Sequence, residues 1–264
     1  MDILNEKVTE VAVNLNGGIL ACGFKNLKNG ETFFHNESHI FPAASIVKIP
    51  IFLEYLRQKE SGIIDPNKMI KIKKEDVVGG AGIIFELHEG VEFTVADLAR
   101  LMMVISDNTA SNIMLDITGM DNVNAFIKFA GLSDTVIGRK FMIDPNTKFA
   151  MNFTSARDMV KLLDGLFSGR LLSEEATREA LETMSRQQYR EKIPLLLPEK
   201  LKIANKTGEI SGVRHDCAIV LDGNDPFILC FLTEKLPDVN AGNNLIAQTA
   251  KFFYDYVKGK LSLR

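Results

Sequence analysis

The distribution of apolar residues predicts helices at both ends of the chain and a largely helical middle. In residues 3–15 apolar side chains recur close to the 3.6-residue period, which predicts an amphipathic first helix. The same pattern predicts a last helix over residues 243–258. Residues 42–164 are mainly helical in pattern, and Thr94 and Thr154 are predicted to cap two of these helices.

β-Prone segments flank this helical middle. A strand at residues 19–26 and a second at 31–36 are separated by Lys28-Asn29-Gly30, and an Asn-Gly pair between two such segments is typical of a hairpin. Near the other end, turns separate three more predicted strands, at residues 201–206, 217–221 and 227–233.

Strands at both ends predict one sheet assembled from the two ends of a single domain, 1–264. Residues 1–43 and 190–264 are assigned to an α/β lobe, and residues 44–189 to an inserted all-helical lobe. A cleft between two lobes is a common place for a ligand site.

Composition and charge narrow the function classes. The chain has 264 residues, of which 46% are hydrophobic and 25% charged, as in ordinary globular proteins. Its formal net charge of −3 offers no excess of basic residues, so nucleic acid is excluded as a predicted partner. The sequence does not indicate an oligomeric state.

Cysteine and histidine do not indicate a metal site or a disulfide framework. Cys22, Cys217 and Cys230 are an odd number without a Cys-x-x-Cys pair, and we expect buried free thiols. No cofactor and no metal are predicted.

The N-terminal residues have no secretory-signal pattern, and no apolar segment is long enough for a membrane span. The sequence as written therefore predicts a cytoplasmic protein, or a periplasmic or secreted one if a signal has been removed.

The first chemically informative segment is Phe41 to Lys48. Ser45 lies where a helix is predicted to begin, and Lys48 follows one turn later on the same face. A serine hydroxyl needs a base before it becomes a good nucleophile, and a buried lysine with a lowered pKa can be that base. Alone, this Ser-x-x-Lys pattern occurs often by chance, and it favours a helix cap and a surface lysine.

Two further segments make the pattern specific. Ser106-Asp107-Asn108 lies between two predicted helices, and Lys206-Thr207-Gly208 follows a predicted strand. In this order and spacing, the three motifs and their surroundings resemble the serine β-lactamase and penicillin-binding protein superfamily, most closely class A β-lactamases. The resemblance implies an α+β fold, with a five-stranded antiparallel sheet flanked by helices and a separate all-helical lobe.

The resemblance also implies a role for each motif residue. Ser45 would be the acylated nucleophile and Lys48 its activating neighbour, while Ser106 would pass a proton to the leaving nitrogen and Lys206 would lower the pKa of that hydroxyl. The implied substrate contacts come from the side chains of Asn108, Thr207 and Arg214, and from the segment Gly208-Glu209. The backbone N–H groups of Ser45 and Glu209 would form an oxyanion hole.

Two positions depart from the class A pattern. The loop Glu that positions the deacylating water is matched by Phe141, and the expected Asn by Pro145, although Arg139 fits. We therefore expect slow deacylation, with Asp144 as the nearest acidic candidate to replace the missing Glu.

Three functions remain open at this point. The first is a β-lactamase with slow turnover. The second is a D-Ala-D-Ala peptidase or esterase resembling a penicillin-binding protein, and the third is a non-catalytic module that binds β-lactams or muropeptides. The expected partner is a small β-lactam, peptide or ester, and the loop from Gly79 to Glu89 is a candidate for the cleft wall or a simple connector.

Overall fold

A five-stranded antiparallel sheet forms the centre of the α/β part of the protein. The computed structural model describes residues 2–142 and 151–261. The sheet strands are β1 (Ile19–Asn26), β2 (Thr32–His35), β7 (Lys202–Ile210), β8 (Val213–Leu221) and β9 (Phe227–Glu234), and the short strands are β3 (Phe41–Pro42), β4 (Met69–Lys71), β5 (Glu92–Thr94) and β6 (Phe153–Thr154). The sheet order is β2-β1-β9-β8-β7, so both chain ends contribute, as predicted.

Eight α-helices lie in the described residues. They are α1 (Asp2–Asn14), α2 (Lys48–Glu60), α3 (Val95–Val104), α4 (Asn108–Thr118), α5 (Met120–Phe129), α6 (Ala156–Phe167), α7 (Glu174–Met184) and α8 (Val239–Val257). Together with the sheet they confirm the predicted α+β fold. The inserted segment predicted to be wholly helical also contains the β4–β5 ribbon and β6, so it is mainly helical.

Two apolar clusters cover the two faces of the sheet. One joins α1 and α8 to the sheet through residues such as Leu4, Val8 and Phe253. The other cluster continues through α6 into the helical segment. Residue Gly23 of β1 permits this contact, because a Cβ there would lie 2.6 Å from Val160 Cγ2. The helical segment is thereby fixed to the sheet beside the edge strand β7.

One of the two predicted helix caps differs from the structure. Thr94 caps α3 by accepting a hydrogen bond from Asp97 N, as predicted, but α6 is capped by Ser155. Thr154 instead belongs to β6, where it pairs with Phe41 of β3. Adjacent Thr and Ser both suit an N-cap, and the β3–β6 pairing decides between them. The three cysteines are free and buried, as expected, and they lie in β1, β8 and β9.

Candidate active site

The Ser45 turn lies where the inserted segment begins. Residues Ala44–Val47 form a 3₁₀ turn that passes directly into α2. Ala44 has φ +44°, a left-handed conformation that is unfavourable for a residue with a side chain. The edge strand β7 packs against this turn, and a Cβ on Gly208 would be 3.2 Å from Ile46 N. Glycine at this position therefore allows the Lys-Thr-Gly strand to approach the nucleophile.

Lys48 begins α2 and is completely buried. Its Nζ donates to Ser106 O at 2.7 Å, to Asn108 Oδ1 at 2.8 Å and to Ser106 Oγ at 3.1 Å. Burial, reinforced by the charge of Lys206 and opposed by Asp107, holds the pKa of Lys48 well below its ordinary value. The structure thus supplies a lysine that can be neutral and act as a base.

Ser106 links the two lysines. Lys206 Nζ donates to Ser106 Oγ at 3.0 Å, opposite the contact from Lys48. A hydroxyl has two acceptor lone pairs and one proton, so with both lone pairs occupied the Ser106 proton is left for another acceptor. Burial is the main cause that lowers the pKa of Lys206 to about 7. The fully buried Lys206 was predicted at the end of a strand, but β7 continues to Ile210.

Asp107 and Asn108 hold the loop at residues 79–84 through hydrogen bonds. Asp107 caps α4 through Ala110 N at 2.9 Å and also accepts from Ile83 N at 2.7 Å and Ile84 N at 2.9 Å. Asn108 Nδ2 donates to the carbonyl oxygen of Gly79 at 2.9 Å. Of the two alternatives for the loop from Gly79 to Glu89, the structure supports the cleft wall, because Gly80 and Ala81 border the same cavity as Ser45.

Two cavities open at Ser45. The first, of about 490 Å³, is largely apolar and includes Phe141, Met142 and Ile210 in its wall. The second, of about 430 Å³, is polar and includes Ser106, Thr207 and Arg214. Ser45 and Glu209 border both cavities. A substrate bound across Ser45 would therefore place its two ends in unlike surroundings.

A buried lysine that the sequence did not reveal lies behind the wall of the polar cavity, where it pairs with Glu191 and Glu209. Lys192 is fully buried and donates to Glu209 and Glu191. Arg214 Nε is 3.8 Å from Glu209 Oε2, and Arg214 Nη1 donates to the carbonyl oxygens of residues 210 and 213. Burial opposes ionisation of Glu209, but Lys192 and Arg214 hold its pKa below the usual range. A lysine two residues before Pro194 gave no signal of this burial, because its partner is 17 residues away in sequence.

The comparisons agree with this geometry. The family model described as "Beta-lactamase enzyme family" matches residues 3–257. The chain belongs to this β-lactamase family. It is similar in structure to a β-lactamase from Sphaerobacter thermophilus, with 30% identity, a TM-score of 0.91, and coverage of 97% of this chain and 98% of that one. The resemblance inferred from the three motifs is thereby confirmed.

Two other relatives represent the curated enzymes and the penicillin-binding proteins. The β-lactamase CARB-3 from Pseudomonas aeruginosa is 26% identical over 260 residues, which cover 94% of this chain and 88% of that protein. A mutant of PBP-A, solved as an acyl-enzyme complex with penicillin G, has 25% identity and a TM-score of 0.89. The match covers 98% of this chain and 97% of that one.

The position that departs from the class A motif lies directly beside Lys48. The centroid of the Phe141 ring is 4.5 Å from Lys48 Nζ, and the side chain is almost completely buried. Asn112 fixes the Phe141 backbone, accepting its N–H at 2.8 Å and donating to its carbonyl at 3.1 Å. The other candidates of this loop, Asp144 and Pro145, lie outside the described residues.

Residues 2–142 and 151–261 contain no cluster of three or more His, Cys, Asp or Glu side chains suited to a metal ion. No helix there is both long and apolar enough to cross a membrane.

Proposed function

We propose that this β-lactamase-family protein opens β-lactam rings through an acyl-enzyme on Ser45 and releases the acyl group slowly. The observation that carries the proposal is the buried chain of hydrogen bonds from Lys48 through Ser106 to Lys206, beside the Ser45 turn. Such a chain supplies a base and a proton relay at one nucleophile, as acyl transfer requires.

Acylation starts when neutral Lys48 accepts the Ser45 proton. Within the described residues Lys48 Nζ donates to Ser106 and Asn108, so it must turn toward Ser45 Oγ when the substrate binds. Ser45 Oγ then attacks the lactam carbonyl, and the backbone N–H groups of Ser45 and Glu209 stabilise the oxyanion.

Ring opening needs a proton on the leaving nitrogen. Ser106 donates its hydroxyl proton there, and the proton on Lys48 replaces it through their 3.1 Å contact. The protein therefore returns to its starting protonation state except for the acyl group on Ser45. Protonated Lys206 and the Thr207 hydroxyl, together with Arg214, are the proposed contacts for a substrate carboxylate, and Asn108 binds the acyl amide.

Residue 141 is a phenylalanine, so it has no carboxylate that could act as the base for deacylation. A phenyl ring accepts no proton, and at 4.5 Å from Lys48 Nζ it occupies space in which a water molecule would be activated. Residue 141 therefore gives water attack on the Ser45 ester none of the general base catalysis that usually contributes about 10² to 10⁴ in rate. An acyl-enzyme that persists is the expected result.

Intact-protein mass spectrometry after mixing with benzylpenicillin, from seconds to hours, tests this proposal. We expect an adduct equal to the whole drug that forms, persists, and is absent from Ser45→Ala. Ser211→Ala, which changes another serine in the wall of the apolar cavity, is the matched control and should still be labelled. An adduct on Ser45→Ala contradicts the nucleophile assignment, and rapid drug loss without an adduct contradicts slow deacylation.

Phe141 also favours the second candidate function, a peptidase or esterase like a penicillin-binding protein. Both functions use Ser45. Faster turnover of p-nitrophenyl acetate or of a D-Ala-D-Ala peptide than of the β-lactam would favour this alternative. The third candidate, a module that only binds, is disfavoured because it does not need the Lys48 base. Ester hydrolysis that Ser45→Ala abolishes would exclude it.

A further inference from the structure

Glu209 brings a carboxylate to the place where the active site meets a substrate. It follows the Lys-Thr-Gly motif on β7 and is the only residue besides Ser45 that borders both cavities within the described chain. In the β7–β8 pairing it lies opposite Arg214, so these two side chains share one face of the sheet. Its side chain is 43% exposed and is accessible to a ligand.

The cations near Glu209 are already engaged. Lys192, which is completely buried, donates to it, and Arg214 Nε lies 3.8 Å from its Oε2. Arg214 also donates to the two carbonyl oxygens at the β7–β8 turn. Arg214 is therefore directed at an internal carboxylate and at backbone acceptors, which weakens its attraction for a carboxylate on a substrate.

A bound carboxylate would lie close to Glu209. Thr207 and Glu209 are two residues apart on β7, so their side chains leave the same face about 7 Å from each other. A ligand carboxylate at the Thr207 hydroxyl consequently meets the negative charge of Glu209 on the same face of β7. Near a protein surface, like charges that border one cavity repel each other.

We propose that Glu209 is a specificity-determining residue that selects against substrates with a carboxylate beside the scissile bond. The favoured class is acyl esters and amides whose leaving group is neutral at that position. Lys192 sets the strength of this selection, because it compensates part of the Glu209 charge from the buried side. The inference rests on the proposed Ser45 acyl-enzyme and adds the substrate class.

A matched pair of β-lactams isolates the carboxylate. Benzylpenicillin and its methyl ester share the ring and side chain and differ in that one charge. The measured quantity is the acylation rate of the acid divided by that of the ester, followed by mass spectrometry at constant salt. In Glu209→Gln we expect this ratio to rise about tenfold, because one like charge is removed from the cavity that holds the substrate carboxylate.

Lys192→Met should move the ratio in the opposite direction, because Glu209 then lacks its buried partner. A purely structural loss would instead lower both rates in both variants. Glu234→Gln, which removes an ion-paired carboxylate on the same sheet, should leave the ratio within about twofold. If single variants fail to fold, the double variant Lys192→Met/Glu209→Gln removes both members of this ion pair. Its ratio should exceed the wild-type value, because of the two only Glu209 borders the cavities.

An unchanged ratio in Glu209→Gln, or a shift in the same direction in Lys192→Met, overturns the inference. Failure of the proposed β-lactam reaction looks different, since no variant then forms a Ser45-dependent adduct with either compound. In that case the same ratio is measured with 4-nitrophenyl acetate and its 3-carboxy derivative. Ester turnover with a ratio insensitive to Glu209→Gln also overturns the inference, and absence of turnover overturns both proposals.

Discussion

At the scale of single residues, the contact between Phe141 and Lys48 separates the two halves of the reaction. The ring contacts the amino group of Lys48, the proposed base for acylation, and it offers no base for the proposed deacylating water. The Lys206 charge, one cause of the lowered pKa of Lys48, does not come from Phe141, whereas the ring helps to bury the Lys48 amine. Because the ring has no group that can activate water, a carboxylate in its place is expected to change the lifetime of the acyl-enzyme.

Phe141→Glu is the sharpest test of this separation. A carboxylate at this position can activate water, so we expect the benzylpenicillin adduct to disappear at least about tenfold faster. The adduct lifetime is measured by mass spectrometry. Phe141→Gln is the control, because glutamine has nearly the same shape as glutamate but cannot act as a base. An equal acceleration in Phe141→Gln would show that loss of the ring, rather than general base catalysis, is responsible.

At the scale of elements, one aspartate connects a helix to the cleft wall. Asp107 accepts three backbone hydrogen bonds, one at the start of α4 and two from the loop at residues 83–84. The loop also contacts it closely, since a Cβ on Gly82 would lie 2.1 Å from Asp107 Oδ2. The motif Ser106-Asp107-Asn108 therefore holds the loop as well as the reacting groups.

Asp107→Ala should cost more than loss of an ordinary helix cap. Each unmade bond leaves a buried donor, so we expect about 2–4 kcal/mol of lost stability, measured by urea unfolding. Ser173→Ala is the matched control, because Ser173 caps α7 through one bond from Ala176 N and should cost about 1 kcal/mol. Equal losses would contradict the role of Asp107 in the loop.

Much of the fold and the motif positions could be predicted because the signals are local. The turn at Asn29-Gly30 joins β1 and β2 as expected, and Thr94 caps α3. β7 was predicted too short, because the residues from Lys206 onward are polar and hide the strand pattern while facing the site. The burial of Lys192 could not be predicted, since it depends on Glu209, a residue of β7 that lies 17 residues away in sequence.

At the scale of the whole molecule, buried lysines connect the active site to stability. Lys206 has a folded pKa of about 7, lowered mainly by burial, whereas the unfolded chain keeps the ordinary value near 10.5. Above pH 7 the unfolded state therefore binds more protons than the folded state, and stability rises with pH. The lowered pKa of Lys48 acts in the same direction.

Between pH 7 and 8.5 we expect the free energy of unfolding to increase by up to about 1.4 kcal/mol per pH unit for Lys206. This range lies above the pKa of Asp216, which burial raises to about 6, and below the ordinary cysteine value. Urea unfolding across the range measures the slope. Lys206→Met should reduce it, and an unchanged slope would show that Lys206 does not titrate there.

The pairing of β1 with β9 also constrains how the chain is made. Asn26 and Phe227 are partners in the sheet, yet about 200 residues separate them in sequence. At about 5 to 20 residues per second, synthesis of the intervening chain takes about 10 to 40 s. During this interval the β1–β2 hairpin has been synthesised without the strand that completes its pairing, so the sheet can close only after nearly the whole polypeptide has been translated.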